Sequence, residues 1–434
     1  MNVVIALVDA SNFYASTEVC FRPSLAGKPL VVLSNNDGCA IARSQEAKAL
    51  GIKMGQPWFQ ISHLAHSHGL IGLSANFTLY GDMSSRLMSL IAGLGHRTET
   101  YSIDEAFADL SGIPGDMTER AFKIRARIQR WLGLECGVGI GATKTLAKLA
   151  NHVSKDAERK PGSYPAHLAQ VCNLGDLTTA EVHEIMRATA VEDVWGVGRR
   201  IGAQLKQHGV ATALDLAQMD PGTVRRRWSV VLERTVLELQ GRPCIALEDA
   251  PGPKKQIAVT RSFGKAIGSL EGLQGAVSEF AARAGEKLRK QGSFAGQLHV
   301  FAHTSPFSPP PHFSRSVVVP LRRPTADTSV LIDAARVGMR FIYEPGFQIQ
   351  KAGVILLDLA PSSLHQAELE LASEEESDNS ILMSTVDQLN RRFGRGTVSV
   401  GGAGFGAKKD WAPKQLRLTP QYTTRLEDIP VARA

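Results

Sequence analysis

The chain has few cysteines and no pattern that would pair them. The five cysteines are scattered through 434 residues, and none belongs to a Cys-x-x-Cys motif. This argues against a zinc knuckle or a disulfide framework and is typical of a reduced cytoplasm. The N-terminus lacks a basic region and has only a short apolar run before Asp9, so no secretory signal is predicted. No stretch approaches the ~20 apolar residues of a membrane span. We therefore expect a soluble cytoplasmic protein without a membrane partner.

A phosphate loop, a second acidic cluster and internal repeats are also missing. The glycine-rich segment 137–145 fails the spacing G-x-x-x-x-G-K-[ST], because Thr143 directly precedes Lys144. It is therefore interpreted as a buried strand with a tight turn into a helix. The lack of a second acidic cluster gives no indication of a proofreading exonuclease.

The length and net charge of the chain indicate how many domains it has and what kind of partner it binds. A chain of 434 residues is too long for one core, and about two to four domains are expected. Lys and Arg number 49 against 42 Asp and Glu, which gives a formal net charge of +7. A basic surplus suits a phosphate-rich partner such as a nucleic acid.

Hydrophobic periodicity divides the chain into two mixed units. In the first, strands are predicted at 3–8, 29–33 and 136–140, and helices at 44–50, 121–132 and 144–153. The helix at 121–132 has Ala121, Ile124, Ile128 and Trp131 on its apolar face. A breaker cluster at 161–165 marks a boundary, and short helices with little strand signal follow over 166–240. The second unit follows a linker at 249–255, with strands at 297–303 and 352–359 and a helix at 277–290. The segment 361–380 is acidic and predicted to be flexible, and the end of the chain is basic and glycine-rich.

Three carboxylates carry the strongest chemical signal. Asp9 ends the first apolar strand, while Asp104 and Glu105 lie in the segment Tyr101–Phe107. Neighbouring strands would bring the acids together, and a pair of Mg²⁺ ions roughly 3.5–4 Å apart would offset their repulsion and support phosphoryl or nucleotidyl transfer. Because adjacent strand residues face opposite sides, Asp104 and Glu105 require a turn or bulge between them. The alternative is that each acid is a surface residue at a strand end.

Two further motifs have both a functional and a structural interpretation. Phe13 and Tyr14 follow Asp9 closely; they are either core aromatics or a platform that packs under a nucleotide sugar and excludes a 2′-hydroxyl. Gly196 and Gly198 form a G-x-G hairpin, with Arg199 and Arg200 beside it. Such a hairpin either holds a DNA phosphate on its backbone N–H groups or is a simple helix–helix turn.

Together these motifs resemble the Y-family translesion DNA polymerases, and in particular their UmuC group. The resemblance covers essentially the whole chain in order. It rests on residues 8–15, 102–105, 137–155 and 193–198, and more specifically on 21–23, 31–39, 41–43, 46–51, 143–152 and 421–425.

The resemblance implies an α+β multidomain fold of the right-hand polymerase type. Its parts are a ferredoxin-like palm, small fingers, a helical thumb with a helix-hairpin-helix near 192–202, an α+β little finger and a small C-terminal module. The corresponding ranges are 1–13 and 75–163 for the palm, 14–74 for the fingers, 164–240 for the thumb, 241–254 for a linker, 255–359 for the little finger, 360–379 for a flexible acidic linker and 380–434 for the UmuC-type module.

The same resemblance assigns roles to individual residues. Asp9 and Asp104 would bind two Mg²⁺ ions, Glu105 would hold the one at the primer 3′ end, and the Ala10 carbonyl would complete the other. Tyr14 would be the steric gate against ribonucleotides. The remaining nucleotide-binding positions would be Phe13, Cys39, Ile41, Arg43, Lys48 and Lys155, and the DNA-binding positions Gly196, Gly198, Arg199 and Arg200.

Two positions depart from the family pattern. Gln45 stands where many members have a tyrosine that contacts the triphosphate. The best match to a sliding-clamp peptide is Gln366–Leu371, which lacks the aromatic residue of that motif.

The sequence thus predicts an error-prone DNA-dependent DNA polymerase that performs translesion synthesis in the SOS DNA-damage response. Its expected partners are primer-template DNA, dNTPs, a UmuD′-like dimer, RecA and a sliding clamp, with a nucleoid location when it is active. The alternatives are a nucleotide cyclase with a similar palm and a catalytically weak DNA-binding relative. The thumb hairpin and second α+β unit argue against the first, and the three clustered acids argue against the second.

Overall fold

The computed structural model describes residues 3–248, 252–363, 379–394, 396–400 and 411–431. They form two compact units: one comprises the chain up to 251 together with the residues from 417 onward, and the other comprises 252–416. The division between 251 and 252 falls within the linker predicted at 241–254. In the described ranges, no helix is long and apolar enough to cross a membrane.

The first unit is a mixed α/β body. Its strands are β1 (Ile5–Ala10), β2 (Leu30–Leu33), β3 (Ala40–Arg43), β4 (Ile71–Ser74), β5 (Arg97–Thr100), β6 (Glu105–Asp109), β7 (Cys136–Gly141) and β8 (Val171–Asn173). Its helices are α1 (Phe13–Phe21), α2 (Gln45–Ala49), α3 (Trp58–Ile61), α4 (Leu64–His68), α5 (Phe77–Ala92), α6 (Met117–Leu132), α7 (Lys144–Arg159), α8 (Thr179–Ala188), α9 (Arg199–Gln207), α10 (Ala213–Ala217), α11 (Pro221–Arg227) and α12 (Val230–Leu239).

The main sheet of this unit has the order β5-β6-β1-β7-β8. The first four strands are antiparallel, with β1 between β6 and β7. Helix α5 lies between β1 and β5 in the chain, and α6 lies between β6 and β7. This β-α-β-β-α-β order is that of the ferredoxin-like fold, as the family resemblance implies. A smaller sheet has the order β3-β2-β4.

Alternate glycines on β7 allow α7 to pack unusually close to the main sheet. Gly137, Gly139 and Gly141 share one face of the strand because side chains alternate along it. A Cβ on Gly139 would lie 2.1 Å from the Asn151 backbone nitrogen and 2.3 Å from the Ala147 carbonyl oxygen. A side chain there would therefore push the helix off the sheet. The predicted strand and turn at 137–145 are confirmed.

A buried carboxylate joins the helical part of this unit to the start of α7. Glu238 on α12 is fully buried. Its Oε2 accepts hydrogen bonds from the backbone N–H and the hydroxyl of Thr145, both at 2.9 Å. Its Oε1 accepts from the backbone N–H groups of Cys244 at 3.1 Å and Ile245 at 2.8 Å. One side chain thus satisfies unpaired N–H groups at a helix N-terminus and in the segment after α12.

The second unit is a four-stranded antiparallel sheet covered by helices. Its strands are β9 (Ile257–Ile267), β10 (Ser293–His303), β11 (Ser314–Thr325) and β12 (Ile349–Pro361), in the order β11-β10-β12-β9. Its helices are α13 (Leu270–Gln291), α14 (Thr328–Ile342) and α15 (Ser380–Phe393). The α+β character predicted for this region is confirmed. Strands β9 and β11 were not predicted, and β11 includes Pro320, a residue that usually argues against a strand but is tolerated on this edge strand.

The structure differs from the sequence prediction at two places in the first unit. The region 166–240 was expected to be helical, but β8 pairs in parallel with β7 and extends the main sheet. The breaker cluster at 161–165 is therefore a loop within the unit. Trp131 was expected on the buried face of α6, yet it is 66% exposed and lies under the guanidinium of Arg127.

The region 380–434, expected to be a small C-terminal module, contributes residues to both compact units. Helix α15 packs within the second unit, where Arg289 forms two hydrogen bonds of 2.8 Å with Asp387. The residues from 417 onward belong to the first unit. Most of the acidic segment, with the clamp-like stretch Gln366–Leu371, lies outside the described residues.

We predict that Glu238→Gln lowers the free energy of unfolding by about 2–4 kcal/mol, because an amide group would face backbone N–H donors that need an acceptor. Chemical denaturation followed by circular dichroism measures the change. The matched control is Glu233→Gln on the same helix, which loses only a partly exposed pair with Arg225 and should change stability by less than about 1 kcal/mol. Equal stability of Glu238→Gln and the parent would contradict the role assigned to Glu238.

Candidate active site

The three predicted acids lie together where β1 and β6 run side by side. Asp9 and Glu105 are directly paired across the two strands. The Ala10 N–H donates to the Asp104 carbonyl at 2.9 Å. Asp104 occupies a bend before β6 begins, and the N–H groups of Tyr101 and Ser102 both donate to the Glu105 carbonyl. The turn that the sequence requires at Asp104–Glu105 is therefore present.

Burial and mutual repulsion destabilise the charged forms of these acids. Burial raises the pKa of Asp104, although a 2.6 Å hydrogen bond from the Ser102 hydroxyl opposes the shift. Burial likewise raises the pKa of Glu105, against the attraction of Lys148. The charge of Asp9 raises both pKa values further. Such a site favours bound cations.

Two lysines from α7 supply positive charge to the acids. Lys155 lies 2.5 Å from Asp9, and Lys148 lies 3.0 Å from Glu105. With these pairs in place, no group of three or more His, Cys, Asp or Glu among the described residues is arranged to hold a metal. The donor types nevertheless fit Mg²⁺, because two or three carboxylates and a backbone carbonyl are hard oxygen ligands. His and Cys ligands, which a zinc site would favour, are not part of the set.

Lys148 also contacts aromatic rings, which the sequence did not predict. Its ammonium group is 4.2 Å from the ring centre of Tyr101 and 5.5 Å from that of Trp195. The Trp195 indole N–H donates to the Tyr101 hydroxyl at 3.1 Å. The residue before the G-x-G hairpin is therefore linked to the segment that carries Asp104 and Glu105.

A second group of cations lies near Asp9, on the side of β3 and α2. Lys48 donates to the Asn12 side chain at 2.5 Å, and Arg159 donates to the Ser11 hydroxyl at 2.6 Å. Arg43 donates to the Ile52 carbonyl, and its Nε is buried without a hydrogen-bond partner in the part of the chain that the structure describes. Burial, followed by the charges of Arg159, Arg43 and Lys155, lowers the pKa of Lys48 to about 8. Mutual repulsion of this kind is relieved by an anionic ligand.

Tyr14 belongs to an aromatic group on α1 and α5. Its ring stacks on Tyr80 with centres 4.4 Å apart and an interplanar angle of 16°. Phe77 packs edge-on against Tyr14 at 6.1 Å, and Phe13 is buried in the core. Burial, with a smaller effect of Asp104, raises the pKa of the Tyr14 hydroxyl. Phe13 therefore fits the core interpretation, whereas Tyr14 is only partly buried and is close enough to Asp104 for that charge to affect the pKa of its hydroxyl.

The remaining predicted nucleotide-site residues lie on the small sheet. Cys39 directly precedes β3, with its sulfur 3.3 Å from the Ser34 hydroxyl. Ile41 on β3 is half-buried and packs against the same core cluster as Tyr14. Gln45 begins α2, whose N-terminus is capped by Ser44.

The predicted DNA-binding residues lie at the start of α9. Gly196 has φ of +91°, a conformation that favours glycine. Gly198 is the N-cap of α9 with φ of −85°, and a Cβ there would meet nothing within 4 Å. Arg199 and Arg200 are exposed. The hairpin thus requires glycine at Gly196, whereas Gly198 is open to other residues as far as space and conformation are concerned.

Several site residues were missed by the sequence reasoning although a signal was present. Lys144, Lys148, Lys155 and Arg159 are spaced by four, seven and four residues, which places them on one face of α7. Lys144 pairs with the buried Glu99 at 2.7 Å, and the next three reach the acids or Ser11. The helical periodicity of basic residues could have identified Lys148 and Arg159.

The sequence matches known protein families over most of its length. The impB/mucB/samB family matches residues 8–152, the C-terminal domain of that family matches 254–369, and a domain of unknown function matches 380–432. Protein UmuC of Salmonella typhimurium strain LT2 is 42% identical over 98% of this chain and 99% of its own length. DNA polymerase IV 1 of Bacillus subtilis strain 168 is 25% identical over 92% of each chain.

A solved structure shares the fold. A chimeric Y-family DNA polymerase superposes with a TM-score of 0.65 at 19% sequence identity, over 82% of this chain and 99% of that one. The agreement of full-length identity, matched family regions and fold leads to one conclusion: the chain belongs to the impB/mucB/samB family and has the fold of a Y-family DNA polymerase.

Proposed function

We propose that this chain is an error-prone DNA-dependent DNA polymerase that performs translesion synthesis, with Asp9, Asp104 and Glu105 as its catalytic carboxylates. Its substrates are primer-template DNA and dNTPs. The reaction is an in-line attack of the primer 3′-oxygen on the α-phosphorus of a dNTP, with pyrophosphate as the leaving group. The cyclase and the weak accessory relative considered above have no observation in their favour.

The observation that supports this proposal best is the position of the cations relative to the acids. The cations beside Asp9 are close enough to one another to interact by charge: burial first, and then the charges of Arg159, Arg43 and Lys155, lower the pKa of Lys48 to about 8. A dNTP carries its triphosphate as a compact polyanion, so these cations match it in charge and position. The carboxylates lie at the edge of this group, where the α-phosphate of such a ligand would be.

The carboxylates would hold two Mg²⁺ ions. Asp9 and Asp104 would contact both, the Ala10 carbonyl would complete the nucleotide site, and Glu105 would complete the primer site. Bound there, the ions would lower the pKa of the attacking hydroxyl and stabilise the leaving group. When they bind, Lys155 would be released from Asp9 toward the triphosphate, and Lys148 would keep Glu105 oriented.

The domain names follow from the same proposal. The main sheet is the palm, the small sheet with α2–α4 is the fingers, α8–α12 form the thumb and the second unit contains the little finger. The exposed Arg199 and Arg200 beside Gly196 would bind the DNA backbone, which carries no sequence information. A UmuD′-like dimer, RecA and a sliding clamp are proposed as further partners.

Asp104→Asn should abolish primer extension while DNA binding is retained. Loss of one charge from the metal ligands removes several kcal/mol of stabilisation, or about 10³-fold in rate. Primer extension is measured on an undamaged template and on a template that contains an abasic site. Each assay is run with and without the proposed protein partners. The matched control is Asp109→Asn at the other end of β6, which should extend like the parent. A rate for Asp104→Asn within tenfold of the parent would refute the assignment.

Tyr14→Ala should admit ribonucleotides, because its ring would lie beneath the sugar and exclude a 2′-hydroxyl. The measurement is single-nucleotide insertion of rNTP relative to dNTP. Tyr14→Phe keeps the ring and should keep the discrimination. If Tyr14→Ala rejects rNTPs as strongly as the parent does, Tyr14 is a core residue only.

The KM for dNTP should rise as pH increases from 7 to 9. The pKa of Lys48 is lowered to about 8, so its charge is present below that value and is lost as pH rises through it; we expect a rise in KM of about 3–10-fold. Lys48→Arg keeps its charge and should flatten this dependence, whereas Lys53→Arg, a nearby exposed control, should not. Identical pH profiles for Lys48→Arg and the parent would exclude Lys48 from triphosphate binding.

A further inference from the structure

The end of the chain forms a strap, residues 417–425, on the surface of the first unit. The Arg417 N–H donates to the Ser74 hydroxyl at 3.0 Å, and the Ser74 N–H donates to the Arg417 carbonyl at 3.0 Å. The strap therefore attaches at the end of β4, an edge strand of the small sheet. Farther along it, Tyr422 stacks on Phe21 of α1 with ring centres 5.0 Å apart.

The strap is joined to the N-terminus of α5 through Asn76. The Asn76 amide donates to the Thr419 carbonyl at 3.1 Å, to its hydroxyl at 3.2 Å and to the Pro420 carbonyl at 3.0 Å. The oxygen of the same amide accepts from the Leu79 N–H and caps α5. One side chain thus fixes the strap to the helix that carries Phe77 and Tyr80.

A buried carboxylate links Thr419 to the aromatic group. Glu18 on α1 is fully buried. Its Oε1 accepts hydrogen bonds from the Tyr80 hydroxyl at 2.7 Å and from the Thr419 hydroxyl at 3.1 Å. Its Oε2 is buried without a hydrogen-bond partner within the described residues. A buried carboxylate depends strongly on its few donors, so Thr419 supplies much of what fixes Glu18.

Tyr80 connects Glu18 to Tyr14 through a ring contact. The two rings are stacked, and the Tyr80 hydroxyl donates a 2.7 Å hydrogen bond to Glu18. The path from Thr419 to Tyr14 therefore consists of two hydrogen bonds and one ring stack. Each contact is a direct one within the first unit.

We propose that Thr419 is a positioning residue for sugar discrimination, acting through Glu18 and Tyr80 to hold the Tyr14 ring in place. The proposal rests on the function proposed above, in which Tyr14 lies beneath the incoming sugar. The strap then supports the Tyr14 ring indirectly, through Glu18 and Tyr80, although it comes from the opposite end of the chain. Its ligand class is unchanged: a deoxynucleoside triphosphate, with the ribonucleotide as the excluded competitor.

The physical reason lies in the rigidity of the ring stack. A gate discriminates by the space it denies to a 2′-hydroxyl, so a small displacement of the ring admits the wrong sugar. Without the Thr419 hydroxyl, Glu18 keeps one donor and can turn toward other positions. Tyr80 then loses a fixed acceptor, and the stacked Tyr14 ring loses a fixed support.

The test compares Thr419→Val with the parent in single-nucleotide insertion of dNTP and rNTP by the full-length chain. Valine has nearly the same shape as threonine, with a methyl group in place of the hydroxyl. We expect the preference for dNTP in kcat/KM to fall by about 3–10-fold, the range of one typical intramolecular hydrogen bond. The loss should come from easier rNTP insertion, while dNTP insertion changes by less than about twofold.

Two controls separate positioning from folding. Thr419→Ser keeps the hydroxyl and should restore the parent's preference. Thr424→Val removes an exposed hydroxyl from the same strap and should leave the preference unchanged. If Thr419→Ser is as defective as Thr419→Val, the methyl group and its packing matter, and the proposed hydrogen-bond path is wrong.

A double-mutant cycle tests the path itself. Tyr80→Phe keeps the ring stack and removes the hydroxyl that reaches Glu18, so its effect should not add to that of Thr419→Val. Additive effects would overturn the path through Glu18. A parent chain that inserts no dNTP under any condition would refute the proposed function, whereas a parent that polymerises and a Thr419→Val variant with unchanged preference would refute this inference alone.

Discussion

The close packing of α7 on β7 is the constraint on which the site depends. Three alternate glycines on β7 leave room for the helix backbone to approach the sheet, and Gly139 has no space for even a methyl group. Because Asp9 on β1 lies next to β7, a helix at this distance brings Lys155 within 2.5 Å of it. A larger residue at Gly139 would move the whole basic face of α7 away from the acids. The glycines of β7 therefore determine both how closely α7 packs on the sheet and how close its lysines lie to the acids.

The lysines that α7 places beside the acids reduce the electrostatic cost of burying several carboxylates close together. Asp104 and Glu105 have raised pKa values because burial and neighbouring acids disfavour their charged forms. The lysines of α7 offset part of that cost. A lysine ammonium binds as a point charge without a fixed orientation, so it can pair with one anion or another. A cation and an anionic nucleotide entering together can replace these internal pairs without leaving unbalanced charge.

The sequence was most informative where one local rule decided the outcome. Apolar runs located β1 and β7, the need for a turn at Asp104–Glu105 followed from strand geometry alone, and the family resemblance assigned the fold. It was least informative where distant segments meet. The short strand β8 has only three residues, so its pairing with β7 depends on tertiary context. The basic, glycine-rich composition of the tail suggested a small C-terminal module. Nothing in that composition indicates that the Thr419 hydroxyl donates a hydrogen bond to the buried carboxylate of Glu18.

Helix α1 shows why such distant contacts are needed. It has only nine residues, and Asn12 at its N-cap makes no capping hydrogen bond, so little intrinsic stability is expected. The Asn12 side chain instead accepts from Lys48, and its backbone takes the left-handed conformation that asparagine tolerates. The residue that would ordinarily stabilise the helix thus serves the cation group beside the acids. The helix that carries Tyr14 consequently relies on contacts farther along it: Glu18 with Tyr80 and Thr419, and Phe21 with Tyr422. A local weakness at the proposed catalytic end is compensated by the last part of the chain.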